Sequence, residues 1–157
     1  MRKIVKAMRK VIYLRDQSNF KRYINNLLEK VDFTPIVNIV PKEIKNITFV
    51  IPGMPAFSGG HTSILRLGTE LSKKGYNVGY VSFAPQNIED MRKNAEINLT
   101  NYKGNIIGDD VKKVKSDIVI ATSWESVYYS REMSGYKMYF IQDYEPYFNL
   151  YGESYIM

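Results

Sequence analysis

The chain has 157 residues, 45% of them hydrophobic and 24% charged: one domain's length and an ordinary globular composition, which excludes disordered, collagen-like and low-complexity classes. It has no cysteine and one histidine, His61, so a disulfide framework, a cysteine nucleophile, an iron–sulfur cluster and a Cys/His zinc site are excluded, and no metal or cofactor is expected. The formal charge of +6 is local: residues 1–45 hold 11 Lys/Arg against 4 Asp/Glu, a net of +7, which leaves −1 for residues 46–157 and argues against a nucleic-acid partner, whose binder needs a cationic fold.

Taken in order, the first segment reads as a short amphipathic helix. Ile4, Met8, Val11 and Ile12 recur at helical spacing, and Arg2, Lys3, Lys6, Arg9 and Lys10 supply a cationic face. Such a helix, over residues 1–14, suits the surface of an anionic membrane or packs its apolar stripe on the rest of the protein. A second stripe follows at Phe20, Ile24, Leu27, Leu28 and Val31. Pro35 and Pro41 then bracket residues 36–40, which can be an edge strand or an extended linker and not a helix. The composition changes near Lys45, which divides the chain into a basic helical extension and linker, 1–45, and a folded domain, 46–157.

From Asn46 onward short apolar strands alternate with helices. Strands are expected at 47–51, 78–83, 105–107, 117–121 and 137–141, and helices at 61–74, 88–93 and from 124 through Arg131. Ser58 is the candidate cap of the first of these helices. Lys73, Lys74 and then Gly75 end it, the cations beside the negative end of the helix dipole and the glycine at the position after the cap. Thr122-Ser123-Trp124-Glu125 fits a capping box with Glu125 at the third helical position. Alternation of this kind implies parallel strands joined by crossover helices, and the fold class is α/β, Rossmann-like. No apolar run approaches the ~18 residues of a membrane span and no signal-peptide pattern opens the chain, so a cytoplasmic location is expected, peripheral on the inner face of the cell membrane if residues 1–14 adsorb there.

Gly53-Met54-Pro55-Ala56-Phe57-Ser58-Gly59-Gly60-His61 departs from both G-x-G-x-x-G and P-loop spacing, since Gly59-Gly60 is followed by histidine rather than lysine. Two glycines at a helix N-terminus still leave bare amides at the carboxyl end of a strand, where a diphosphate fits; the plainer reading is a tight turn capped by Ser58. His61 either contacts a ligand or packs in the first turn. Beyond the last strand, Asp143 and Glu145 can position a hydroxyl or accept its proton, or serve as turn residues before Pro146. Tyr144, Tyr147, Phe148 and Tyr151 form an aromatic cluster suited to a sugar ring or to packing on a partner domain.

The run Phe49-Val50-Ile51-Pro52-Gly53, Ser58-Gly59-Gly60-His61 and Leu65 through Val78 resembles the opening of a GT-B glycosyltransferase, glycosyltransferase family 4 in particular, with Tyr76 where that family usually has histidine. Residues 121–126 and 139–148 are similar to glycosyltransferases of rhamnan and cell-surface polysaccharide synthesis. The resemblance covers 46–157. It implies an N-terminal, acceptor-side Rossmann-like domain of an enzyme that moves a sugar, rhamnose being the most specific expectation, from a nucleotide-sugar donor substrate to a saccharide or lipid-linked saccharide acceptor. It places the donor diphosphate at Gly59, Gly60 and His61, the acceptor cleft at Trp124, Glu125, Asp143, Tyr144 and Glu145, and the candidate catalytic groups among Asp143, Glu145 and His61. Such enzymes carry most nucleotide contacts, and an E-x7-E signature, on a C-terminal domain that this sequence lacks, so the chain is expected to need that partner domain and to transfer no sugar alone. The alternative is a non-catalytic Rossmann-like module that binds a nucleotide or a partner.

Overall fold

The structure, a computed structural model, describes residues 15, 17–19, 21–23, 25, 26, 29 and 34–142. The chain divides into two compact units, Met1–Pro35 and Ile36–Met157. In the first, residues 15, 17–19, 21–23, 25 and 26 are helical; the expected helix over 1–14 and the stripe Phe20, Ile24, Leu27, Leu28 and Val31 lie outside the described residues. Residues 36–40 form no regular element, but Asn38 joins them to the sheet, donating from Nδ2 to the Lys137 carbonyl at 2.9 Å and accepting the Lys137 N–H at 2.7 Å.

Among its described residues the second unit contains five strands, β1 (Asn46–Ile51), β2 (Asn77–Ser82), β3 (Asn105–Gly108), β4 (Ile118–Ala121) and β5 (Tyr136–Tyr139). They form one sheet in the order β3-β2-β1-β4-β5, and every pairing is parallel. Helices α1 (Gly59–Lys73), α2 (Ile88–Asn98) and α3 (Trp124–Arg131) and a 3-10 turn, Val111–Lys113, connect them. This is the expected α/β, Rossmann-like arrangement.

Both sheet faces are covered, which is why β1 buries every residue from Ile47 to Ile51 rather than alternate ones. Ile47, Phe49 and Ile51 of β1, Val78 and Tyr80 of β2 and Ile120 of β4 pack with Ile64 and Leu65 of α1 and Met91 and Ala95 of α2. On the other face Val50, Val81 and Val119 meet Val111 and Met133, with Tyr129 of α3 stacked on Phe83 at 4.5 Å. Helix α1 ends as its sequence implies: Gly75 has φ +95° and its N–H donates to the Ser72 carbonyl, while the Tyr76 N–H reaches back to Leu71.

Asp117 ties the start of β1 to β4. Its Oδ2 accepts the Lys45 and Asn46 N–H groups at 2.9 and 2.8 Å and the Asn46 side-chain amide at 3.4 Å. The N–H donors of Asn46 and Lys45 hold its carboxyl below the ordinary aspartate value. A carboxyl depressed by folding stabilises the fold above its unfolded value of 3.8 and loses that contribution as pH falls through the folded one. Asp117→Asn is therefore expected to lower the melting temperature at pH 7, with the gap to the parent narrowing as the pH falls below 3.8 and through the lower folded value.

Candidate functional site

Strands β1 and β4 are neighbours whose connections leave in opposite directions, β1 toward β2 and β3, β4 toward β5. In a parallel sheet the crevice beyond the carboxyl ends of such a pair is the position for a ligand. Two segments reach it, the β1–α1 loop, 52–58, and the start of α3 after β4.

The β1–α1 loop is held by side-chain amides from the next connection. The Met54 N–H donates to Gln86 Oε1 at 2.6 Å, and the Met54 carbonyl accepts from Gln86 Nε2 at 3.2 Å and from Asn94 Nδ2 at 2.8 Å. Asn98 donates from Nδ2 to the Pro55 carbonyl at 2.7 Å and accepts the Ser58 N–H on Oδ1 at 2.9 Å. Thr62 Oγ1 donates to the carbonyls of Ser58 and Asn98. The Gln86, Asn94 and Asn98 bonds satisfy loop backbone groups outside any strand or helix, and they fix the loop before any ligand arrives.

His61 belongs to the same bracing. Its Nε2 lies 2.9 Å from the Gly53 carbonyl, which only accepts, so the proton resides on Nε2; Nδ1, 2.8 Å from Ser58 Oγ, then accepts the serine hydroxyl. Ser58 Oγ in turn accepts the His61 backbone N–H at 3.4 Å, the cap of α1. The residue is only 8% exposed. Burial pushes its pKa below the ordinary value, partly opposed by the bond to Gly53, so the ring is neutral at pH 7. Of the two readings open to it in sequence, packing in the first turn describes these surroundings, and both ring nitrogens are engaged within the loop.

Gly59 and Gly60 open α1, and as first-turn residues their amides have no acceptor within the helix. A Cβ on Gly59 would meet nothing within 4 Å, and one on Gly60 would meet only the end of the Gln142 side chain, Oε1 at 3.0 Å. Neither glycine has a positive φ. The first turn of α1 carries no acidic side chain, whereas α2 begins with Glu89 and Asp90 and α3 with Glu125.

At the second segment the cap lies one residue later than expected. Thr122 spends its hydroxyl on the Val50 carbonyl at 2.7 Å, so Ser123 is the N-cap, and the partner in the capping box is Ser126, whose Oγ accepts the Thr122 and Ser123 N–H groups at 2.8 and 3.0 Å. Glu125 stands at the second helical position and is not the capping glutamate the sequence suggests. Trp124, half-buried, opens the helix and meets Tyr128 edge-on at 6.4 Å. Asp143, Tyr144 and Glu145 lie outside the described residues, as do Tyr147, Phe148 and Tyr151.

Sequence reasoning left four contributors unremarked. Gln86, Asn94 and Asn98 brace the loop, and Phe57 crowns it with φ +57° and 90% of its surface exposed. Among the described residues no three His, Asp or Glu side chains gather as metal ligands would, and no helix is long and apolar enough to cross a membrane. No family model matches the chain, and no curated protein sequence does.

Proposed function

We propose that residues 46–157 are the acceptor-side domain of a GT-B glycosyltransferase and that the N-terminus of α1 receives the diphosphate of a nucleotide-sugar donor, with a surface saccharide as acceptor and rhamnose as the most specific candidate for the sugar moved. The supporting observation is the Gly59-Gly60 pair: the fold requires glycine at neither position, yet the pair leaves two helix-terminal amides bare, at the switch point, on a turn with no acidic side chain. Charge that develops on the departing nucleotide would be stabilised there by oriented N–H groups that need no rearrangement. His61 acts in this scheme through the loop it braces. Trp124 and Glu125 open α3 just after β4, on the side where an acceptor would lie, and attachment to a membrane through residues 1–14 would bring a lipid-linked acceptor close.

Titration of the 157-residue chain with uridine and thymidine diphosphates, followed by amide chemical shifts, tests the phosphate site. Shifts are expected first at Gly59 and Gly60. Gly59→Ala keeps its N–H but sets a Cβ in the open space where the phosphate would approach, and is expected to weaken binding about ten-fold, while its melting temperature stays level or rises, because alanine is the better helix residue. Shifts centred elsewhere would remove the assignment, and binding without transfer when a donor-side domain is supplied would favour a non-catalytic nucleotide-binding module.

A further inference from the structure

Residues 36–40 leave apolar side chains in the open: Val37 is 82% exposed, Ile39 76%, Val40 68% and Ile36 44%. The segment is nonetheless anchored to β5, the last strand of the sheet, because the Asn38 side chain occupies both backbone groups of Lys137 and Ile36 lines a groove with Met138 and Tyr139. Asn38 thus stands in for a peptide group on the outer edge of β5 and closes that position to any other strand. Ile36 and Asn38 turn to the sheet while Val37 and Ile39 are the most exposed, the two-residue alternation of a strand. Among the described residues, the backbone groups of 36, 37, 39 and 40 take part in no strand pairing or turn. With Met138 and Tyr139, both exposed in part, these side chains present on the order of 600 Å² of apolar surface, against the ~800 Å² of all kinds that each partner of a stable complex buries.

We infer that this face is the contact through which two copies of the chain associate, residues 36–40 of one copy pairing antiparallel with the same residues of the other about a two-fold axis at Asn38. The sequence itself selects a second copy as the occupant. Pro35-Ile36-Val37-Asn38-Ile39-Val40-Pro41 has the same pattern in both directions, with Asn38 at its centre, a β-branched pair on each side and a proline beyond each pair. Antiparallel pairing about that centre sets Val37 opposite Ile39 twice and Ile36 opposite Val40 twice, and it ends at the prolines, which have no N–H to extend a ladder. Such a contact uses the same surface on both copies and closes at two. The charges that follow, Lys42 and Glu43, are both exposed and cancel, so the face has no net charge to draw it to an anionic lipid surface. The association is independent of the donor site proposed above.

Sedimentation velocity of the 157-residue chain over a range of concentrations should show a reversible monomer–dimer equilibrium with a Kd of roughly 100 μM or tighter. Val37→Glu and Ile39→Lys each set a charge against an apolar side chain twice per dimer, and each should raise the Kd more than about ten-fold. Both positions are exposed, and matching melting curves verify that the variants fold. The register predicts a rescue. In an equimolar mixture of the two variants the new carboxylate of one chain lies opposite the new ammonium of the other, while the second Val37–Ile39 pair is intact, so a heterodimer should form with a Kd within about ten-fold of the parent's. A parent that stays monomeric, growth without limit into larger species, or a dimer indifferent to both substitutions overturns the inference. Dissociation by each variant without rescue on mixing overturns it as well, because the antiparallel register is then wrong. A monomeric parent that floats with phosphatidylserine vesicles, and no longer does so as Val37→Glu, overturns it in favour of a lipid surface.

Discussion

Replacing Tyr80 by alanine is expected to lower the free energy of unfolding by about 3–5 kcal/mol, as for other large aromatic residues removed from a core. Tyr80 is fully buried at the centre of the larger core, stacked on Phe49 at 5.6 Å and edge-on to Tyr102 at 6.3 Å. Its hydroxyl is satisfied by donating to the Lys103 carbonyl at 2.9 Å, and burial pushes its pKa well above the ordinary tyrosine value, so the ring enters the core uncharged. Helix α1 passes directly over it. The helix carries glycine at that point, Gly68, where a Cβ would stand 2.1 Å from the tyrosine oxygen and 2.8 Å from Cζ. Gly68→Ala is therefore destabilising despite the better helix propensity of alanine, by about 1–3 kcal/mol of overpacking less up to about 1 kcal/mol of propensity. Because both positions share one contact, Gly68→Ala in a Tyr80→Ala background should cost nothing further or restore stability. Urea unfolding of the four proteins measures both the loss and the coupling. A Tyr80→Ala loss near 1 kcal/mol would mean that the ring is not the centre of this core.

What was legible in the sequence is what rests on local chemistry. The five strands carry β-branched and aromatic runs, Ser58 and Gly75 punctuate α1, and the alternation of strand and helix forces parallel pairing, so the α/β class follows from residues read a few at a time. The sequence pattern ends helix α2 at residue 93, whereas it continues to Asn98: beyond Met91 only Ala95 is buried, Ile97 is exposed and the other positions are polar, so no apolar stripe marks the extension. Those polar positions include Asn94 and Asn98, which brace the β1–α1 loop from forty residues away. No periodicity announces such a role; an unusual density of amide side chains between Gln86 and Asn98 is the signal that was present. The capping register after β4 failed for a related reason, since Thr122 and Ser123 are equal candidates until the distant Val50 carbonyl takes the threonine hydroxyl. Phe57 is invisible to pattern reading because its conformation, and not its identity, sets it apart. The parts of the candidate site that depend on contacts between successive connections are thus the parts one sequence does not spell out.

The stability of the chain is expected to fall as pH drops from about 6.5 toward 5, and His61→Gln to remove that fall. Folding lowers the His61 pKa, so the folded state binds fewer protons than the unfolded one in this window. The contribution of the neutral, buried ring is fully present above the unfolded value of 6.5 and is lost as pH falls from there through the folded value. Carboxylates titrate chiefly below this window and the chain has no second histidine, so the slope belongs to one group. Protonation would place a proton on Nδ1, which now accepts the Ser58 hydroxyl, and a charge on a ring that is 8% exposed. Alanine at 61 is the harsher change. It leaves the Gly53 carbonyl without its donor and opens a gap beneath the loop, an expected loss of about 2–4 kcal/mol at pH 8. Glutamine places an amide N–H near the position of Nε2, so His61→Gln should keep more of the stability at pH 8 than alanine while showing a flat profile between pH 7 and 5. Urea midpoints at half-unit pH intervals distinguish the cases. An unchanged slope in His61→Gln would assign the acid sensitivity to other groups and deprive His61 of its place as the strut of the β1–α1 loop, whereas a flattened slope accompanied by weaker nucleoside diphosphate binding would connect the strut to the amides it holds in place.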